Sequence, residues 1–173
     1  MSASEFSRTF DPRHLLEAPQ HLVASAAERA ALATRFDLVS VDRLEAEVTL
    51  VADGDRVKVS GELSADVVQS CAVTGDDLPI TIREPLAFAF VPASAPATPG
   101  EEVELAAEEL DEIAYDGPLI DVGEAVAESL ALAIDPYAEG PGADEYRRKY
   151  NLTDEGPKGA LAEGLAALLG KKD

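Results

Sequence analysis

Cys71 is the first residue with a chemistry of its own. It stands at the end of an alternating run and opens the stretch CAVTGDDL. A thiol acts as nucleophile or metal ligand in its thiolate form, and a nearby cation or helix N-terminus must lower its pKa. No Lys, Arg or His lies between Val59 and Ile82, while His14 and His21 are distant in sequence. One cysteine and two histidines do not easily complete a structural zinc site of nitrogen and sulfur ligands. Cys71 is therefore expected to be a structural corner residue.

Carboxylates supply the other abundant chemistry. There are 34 Asp and Glu against 14 Lys and Arg, a formal net charge of −20. The adjacent pairs Asp76/Asp77, Glu101/Glu102 and Glu108/Glu109 point apart on a helix or strand, which makes them poor catalytic dyads. No Asp-rich loop has EF-hand spacing, and there is no P-loop, GxGxxG or GxSxG. The sequence names no catalytic residue, metal ligand or cofactor. Arg147-Arg148-Lys149 is the one basic triplet, and with Tyr146 and Tyr150 it forms the candidate RNA contact. Elsewhere the charge opposes a grip on phosphate, since from Glu84 to Tyr146 there is no Lys or Arg. The same charge opposes docking on anionic lipid and favours solubility or a basic partner.

The elements that must position these residues follow from periodicity. Leu44, Ala46, Val48 and Leu50 alternate with polar residues, as do Val57, Val59, Leu63, Ala65 and Val67 across the turn Asp53-Gly54-Asp55. That is a hairpin with one wet face. Gly61 interrupts the apolar row and suggests a bulge. Cys71–Asp77 makes the next corner, and strand resumes over Pro79–Val91, where Pro85 calls for an edge or a bend. Two short strands are expected near Glu5–Phe10 and His21–Ala24. Ser25 and Glu28 form a capping box for a helix over Ala26–Arg35. Asp121 and Glu124 do the same for a mostly buried helix to Ile134, and Pro136 stops it. Only Glu124 and Glu128 give that helix a polar stripe.

Pro92–Gly100 reads as a flexible surface loop. In the acidic stretch that follows, Val103, Leu105, Leu110 and Ile113 suit it to pair with the sheet or dock against it. Glu139–Gly142 reads as loop and Gly159–Leu169 as a short tail helix. The predicted class is α+β: a curved, mainly antiparallel sheet, up to a barrel-like form, with the 121–134 helix packed on it. Residues 1–142 form one domain and 143–173 a C-terminal extension. No apolar run is long enough to cross a bilayer and no signal-peptide pattern is present, and the single cysteine excludes an intrachain disulfide. A reducing, cytoplasmic setting fits.

Three pieces in this order and spacing resemble one family: VVQSCAVTGDDL, REPLAFAFVP and YDGPLIDVGEAVAESLALAIDPY. They are similar to the YceD-like bacterial proteins, described as large ribosomal RNA subunit accumulation proteins. The stretch AAERAALATRF followed by VDRLEAEVTL resembles the alphaproteobacterial branch. The resemblance covers roughly residues 4–142 and leaves the GPKGALAEGLAALLGKKD tail outside. Its motif positions are Cys71, Thr74, Asp116, Gly117, Asp121, Gly123, Glu124, Glu128, Asp135, Pro136 and Tyr137. Many members carry Cys-x-x-Cys at the corner, whereas Thr74 stands at the second position here, which weakens any zinc or redox role.

The resemblance implies a factor for ribosomal RNA accumulation or large-subunit biogenesis, without a known reaction. Together with the charge, it leads to the expectation of a non-catalytic factor binding a basic ribosomal protein or assembly factor. Two other readings stay open. One is a metal-dependent hydrolase acting on ribosomal RNA; the other is an acidic protein-interaction module unrelated to ribosomes.

Overall fold

The two alternating runs fold as long strands whose apolar face must be covered by something else. In the computed structural model, which describes residues 4–16, 18–93, 111–150 and 152, two helices do this. The elements run β1 (Thr9–Phe10), β2 (Gln20–Val23), α1 (Ala26–Arg35), β3 (Ser40–Asp53), β4 (Arg56–Ser70), β5 (Asp77–Pro92), β6 (Asp111–Tyr115), β7 (Ile120–Asp121), α2 (Val122–Ala133) and α3 (Ala143–Lys149). The main sheet has the order β2-β3-β4-β5-β6, and β1 pairs with β7 in a small ribbon. All pairings are antiparallel except β5 with β6. The class is α+β as expected. The sheet is open, with β2 and β6 at its edges, so the barrel-like limit is not reached.

One face of β3, β4 and β5 contributes Leu44, Val48, Val59, Leu63, Val67 and Phe88, all buried. Leu32 of α1 and Val122, Val126 and Leu130 of α2 close over them in one cluster with Phe6. The bulge lies between Val41 and Arg43, where it turns both Val41 and Leu44 inward. It does not lie at Gly61, which pairs in register with Val48 and Leu86. A Cβ on Gly61 would land on the Glu47 carbonyl oxygen, so that glycine permits close strand approach rather than an extra residue.

Pro85 sits opposite Glu62 in a part of β5 that β6 does not reach, since β6 covers only Phe88–Pro92. Among the described residues no second strand pairs with β5 at Pro85, which suits the edge rather than the bend expected there. The first strand proves shorter than Glu5–Phe10, starting at Thr9. Phe6 and Gly123 explain why: the N-terminal segment lies against α2 rather than against a strand. Ile113 enters β6. Val103, Leu105, Leu110, the 94–100 part of the loop and the 159–169 helix lie outside the described residues.

Candidate functional site

The buried helix α2 gathers most of the motif residues, and its two ends differ in kind. At the N-terminus Asp121 is the N-cap, and its Oδ1 accepts the Glu124 N–H at 3.2 Å. The same carboxylate accepts the Arg8 N–H at 2.9 Å and the Ser7 hydroxyl at 2.6 Å. The reciprocal half of the expected capping box is not made. Glu124 turns instead to the Ser4 hydroxyl (2.5 Å) and to Arg35 at the end of α1 (2.7 Å). That guanidinium, chiefly, holds the Glu124 carboxyl below its ordinary range, and Glu124 and Glu5 push Arg35 up. The Ser25–Glu28 box at α1 is complete, and Glu28 also takes Arg8, which draws its carboxyl down to about 2. A Cβ on Gly123 would come within 2.6 Å of the Arg8 nitrogen and the Phe6 carbonyl oxygen, so the N-terminal segment crosses where only glycine fits.

The C-terminal end meets the Cys71 corner. Gln69 donates to the Asp135 carbonyl at 2.8 Å, and the Ala72 N–H donates to Ala138 at 3.0 Å. Asp135 Oδ1 in turn accepts the Tyr137 N–H at 2.9 Å, a turn that Pro136 shapes. The Cys71 sulfur accepts the Gly140 N–H at 3.2 Å and the Thr74 N–H at 3.5 Å. Those donors, Gly140 first and then the Thr74 hydroxyl and the Thr74 and Val73 amides, lower the thiol to about 7 without any cation. Cys71 is buried, as a corner residue should be. Gln69 is buried too, and its Oε1 has no partner among the described residues.

The remaining positions are dispersed. Asp116 and Gly117 (φ +94°) form the exposed turn before β7. Glu128 is exposed on α2, and Tyr137 is 79% exposed. Tyr146, Arg147, Arg148 and Lys149 lie on α3, a helix where sequence reading placed none. Its signal was present: Asp144 and Glu145 in the first turn and three cations in the last suit the helix dipole. Arg147 is held by Glu139 and Asp144. Tyr146 and Tyr150 lie 4.5 Å apart between ring centres, with Lys149 5.3 Å from the Tyr150 ring centre.

The wet face of the sheet gathers acids. Glu47 stands directly opposite Glu62, and Glu45 opposite Ser64. With His21 and Gly61 they line a shallow groove of about 520 Å³. Arg43 is taken up by Asp66 (2.7 Å) and Glu45 (3.6 Å). Among the described residues no cluster of three His, Cys, Asp or Glu has the geometry to hold a metal ion.

A family model described as "Large ribosomal RNA subunit accumulation protein YceD" matches residues 59–157. The chain belongs to the YceD family. The match starts at Val59, within β4, and runs past residue 142 to take in α3. It thus takes in the Cys71 corner, α2 and α3 together, and it gives this YceD protein a role in large-subunit ribosomal RNA accumulation. No curated protein and no solved structure matches the chain. No described helix is long and apolar enough to cross a membrane.

Proposed function

We propose that this YceD protein supports accumulation of large-subunit ribosomal RNA without catalysis, by binding a basic ribosomal protein or assembly factor. The carrying observation is the Glu47–Glu62 pair. Like charges directly opposite on neighbouring strands are destabilising, and among the described residues no cation bridges these two. Seven of the described cations instead pair with acids elsewhere: Arg8, Arg13, Arg35, Arg43, Arg56, Lys58 and Arg147. A basic partner laid over the sheet relieves the repulsion and is drawn in at long range by the net charge. The cytoplasm, where ribosomes assemble, is the compartment this reading requires.

Co-sedimentation of the tagged chain with ribosomal precursors, followed by crosslinking to the nearest neighbour, tests the reading. A basic protein neighbour, lost on E47K/E62K and in high salt, is expected. Recovery of ribosomal RNA alone, retained in high salt, would sink it.

The adjacent, mutually tilted rings of Tyr146 and Tyr150 with Arg148 and Lys149 favour a second reading, a local RNA contact on α3, because aromatic faces beside cations suit unpaired bases. Loss of RNA crosslinks on Y150A would support it. A hydrolase predicts cleavage of precursor ribosomal RNA by the pure protein with magnesium or manganese.

A further inference from the structure

The end of β4 carries two buried polar side chains under one loop. Gln69 and Cys71 stand two apart, 6% and 4% exposed, with exposed Ser70 between them. The Cys71 N–H donates to the Asp76 carbonyl at 2.8 Å, so the pairing of β4 with β5 runs on past Ser70. Alternation then points Gln69 and Cys71 the same way. The segment Asp135–Gly140 crosses over both. Its Asp135 carbonyl accepts from Gln69 Nε2 at 2.8 Å, and its Gly140 N–H reaches the Cys71 sulfur at 3.2 Å.

Each of the two is satisfied on one side only. The sulfur meets donors, the Gly140 amide first and then Thr74, which favour the thiolate and draw the thiol down to about 7. Gln69 is the reverse case. Its Nε2 is bonded, while its Oε1 is buried with no donor among the described residues, the Cys71 thiol included. A buried acceptor left without a donor is costly. The cover over the pair is one chain thick. Asp135, Pro136, Tyr137 and Glu139 are exposed, and Ala138 and Gly140 are half-buried. A molecule little larger than water therefore reaches the sulfur after a small displacement of this loop. Cys71 is the single cysteine, so no disulfide can form within the chain.

We propose that Cys71 is a site of reversible oxidation by hydrogen peroxide, and that its sulfenic acid is held in place because the new S–O–H group donates to Gln69 Oε1. The thiolate sulfur attacks one peroxide oxygen. The S–O bond forms as the O–O bond breaks, and hydroxide leaves. Sulfur gives up two electrons and the peroxide takes them. The hydrogen on the transferred oxygen is the donor that Oε1 lacks. Beneath the loop, and with no second cysteine in the chain to attack it, the S–OH group persists until a thiol from outside reaches it and restores the cysteine. Thr74, three residues on, carries no sulfur to resolve it. The inference is independent of the basic-partner reading above.

The test treats the folded full chain with hydrogen peroxide at neutral pH and then removes the peroxide. After a set interval the chain is unfolded in urea containing dimedone, a diketone that captures sulfenic acid. Mass spectrometry is expected to find the adduct on the peptide that holds Cys71. In Gln69→Leu, and in Gln69→Met as a second variant close in length, the sulfenic acid should decay roughly tenfold faster, about the worth of one net hydrogen bond. Circular dichroism checks that each variant is folded. A comparison that needs no variant is the chain unfolded in urea before the peroxide is added, which should lose its sulfenic acid at least as fast as the variants. Three results would overturn the proposal. One is no adduct at all, and another is sulfinic acid formed with no sulfenic stage. The third is a lifetime unchanged in the folded variants, which would mean that Oε1 holds a buried water only.

Discussion

The two ends of α2 are built to opposite plans. The N-terminal end is closed: Asp121 and Glu124 together accept from Ser4, Ser7, Arg8 and Arg35, tying the N-terminal segment and α1 to one helix turn. The C-terminal end is tied to the Cys71 corner by Gln69 and Ala72 but leaves part of its last turn exposed. Leu132 faces solvent and the last turn has no basic residue. Side chains that hold the fold have fixed partners inside it, whereas apolar and backbone groups left without one are available to another molecule. Motif residues at the first end are accounted for by structure, whereas the second end leaves Leu132 exposed.

The sharpest way to break this contrast is Gly123→Val. The added Cβ meets backbone atoms at 2.6 Å, which cannot yield as a side chain would. Urea unfolding should show a loss of about 3 kcal/mol, the upper range for overpacking; a loss below about 1 kcal/mol would mean that the N-terminal segment does not cross there. Asp121→Ala comes next. It removes a helix cap and two further acceptor contacts, for about 2 kcal/mol in the same measurement.

Acid should act through the closed end as well. Glu28 is drawn from 4.5 down to about 2 by Arg8, and Arg35 lowers Glu124. A carboxyl depressed in the folded state contributes stability that is present above its ordinary pKa and lost as pH falls through the folded value. The melting temperature should therefore decline from about pH 4.5 toward pH 2, and Arg8→Ala should flatten that decline. At the corner the effect is smaller. The Cys71 thiol is lowered from 9.0 to about 7, so its contribution to stability is absent below pH 7, grows as pH rises toward 9 and then levels. Thiolate absorbance should show a midpoint near 7, moved upward in Gly140→Pro, which lacks the main donor. Smallest of all is Leu132→Ser. An exposed side chain away from packing should change stability by less than about 0.5 kcal/mol, and a larger loss would mean that the exposed turn is structural after all.

Much of this could be read from the chain. Alternation marked β3, β4 and β5, since each has one wet face. Ser25 and Glu28 located α1 to the residue. The Asp121–Glu124 spacing suits a capping box, but Arg35, a long way off in sequence, competes for the Glu124 carboxylate and wins it. Gly61 suggested a bulge because an extra residue and a close approach leave the same gap in an apolar row. α3 was missed because it is short and follows a Gly-Pro-Gly run.

Local order, the family and the excess of acid thus follow from the residues themselves, because periodicity, caps and net charge are properties of neighbours or of a sum. The pairing of Arg35 with Glu124, the meeting of Cys71 with Gly140 and the exposure of Leu132 do not. They depend on which distant segments come to rest together, and only the packed sheet and helices decide that.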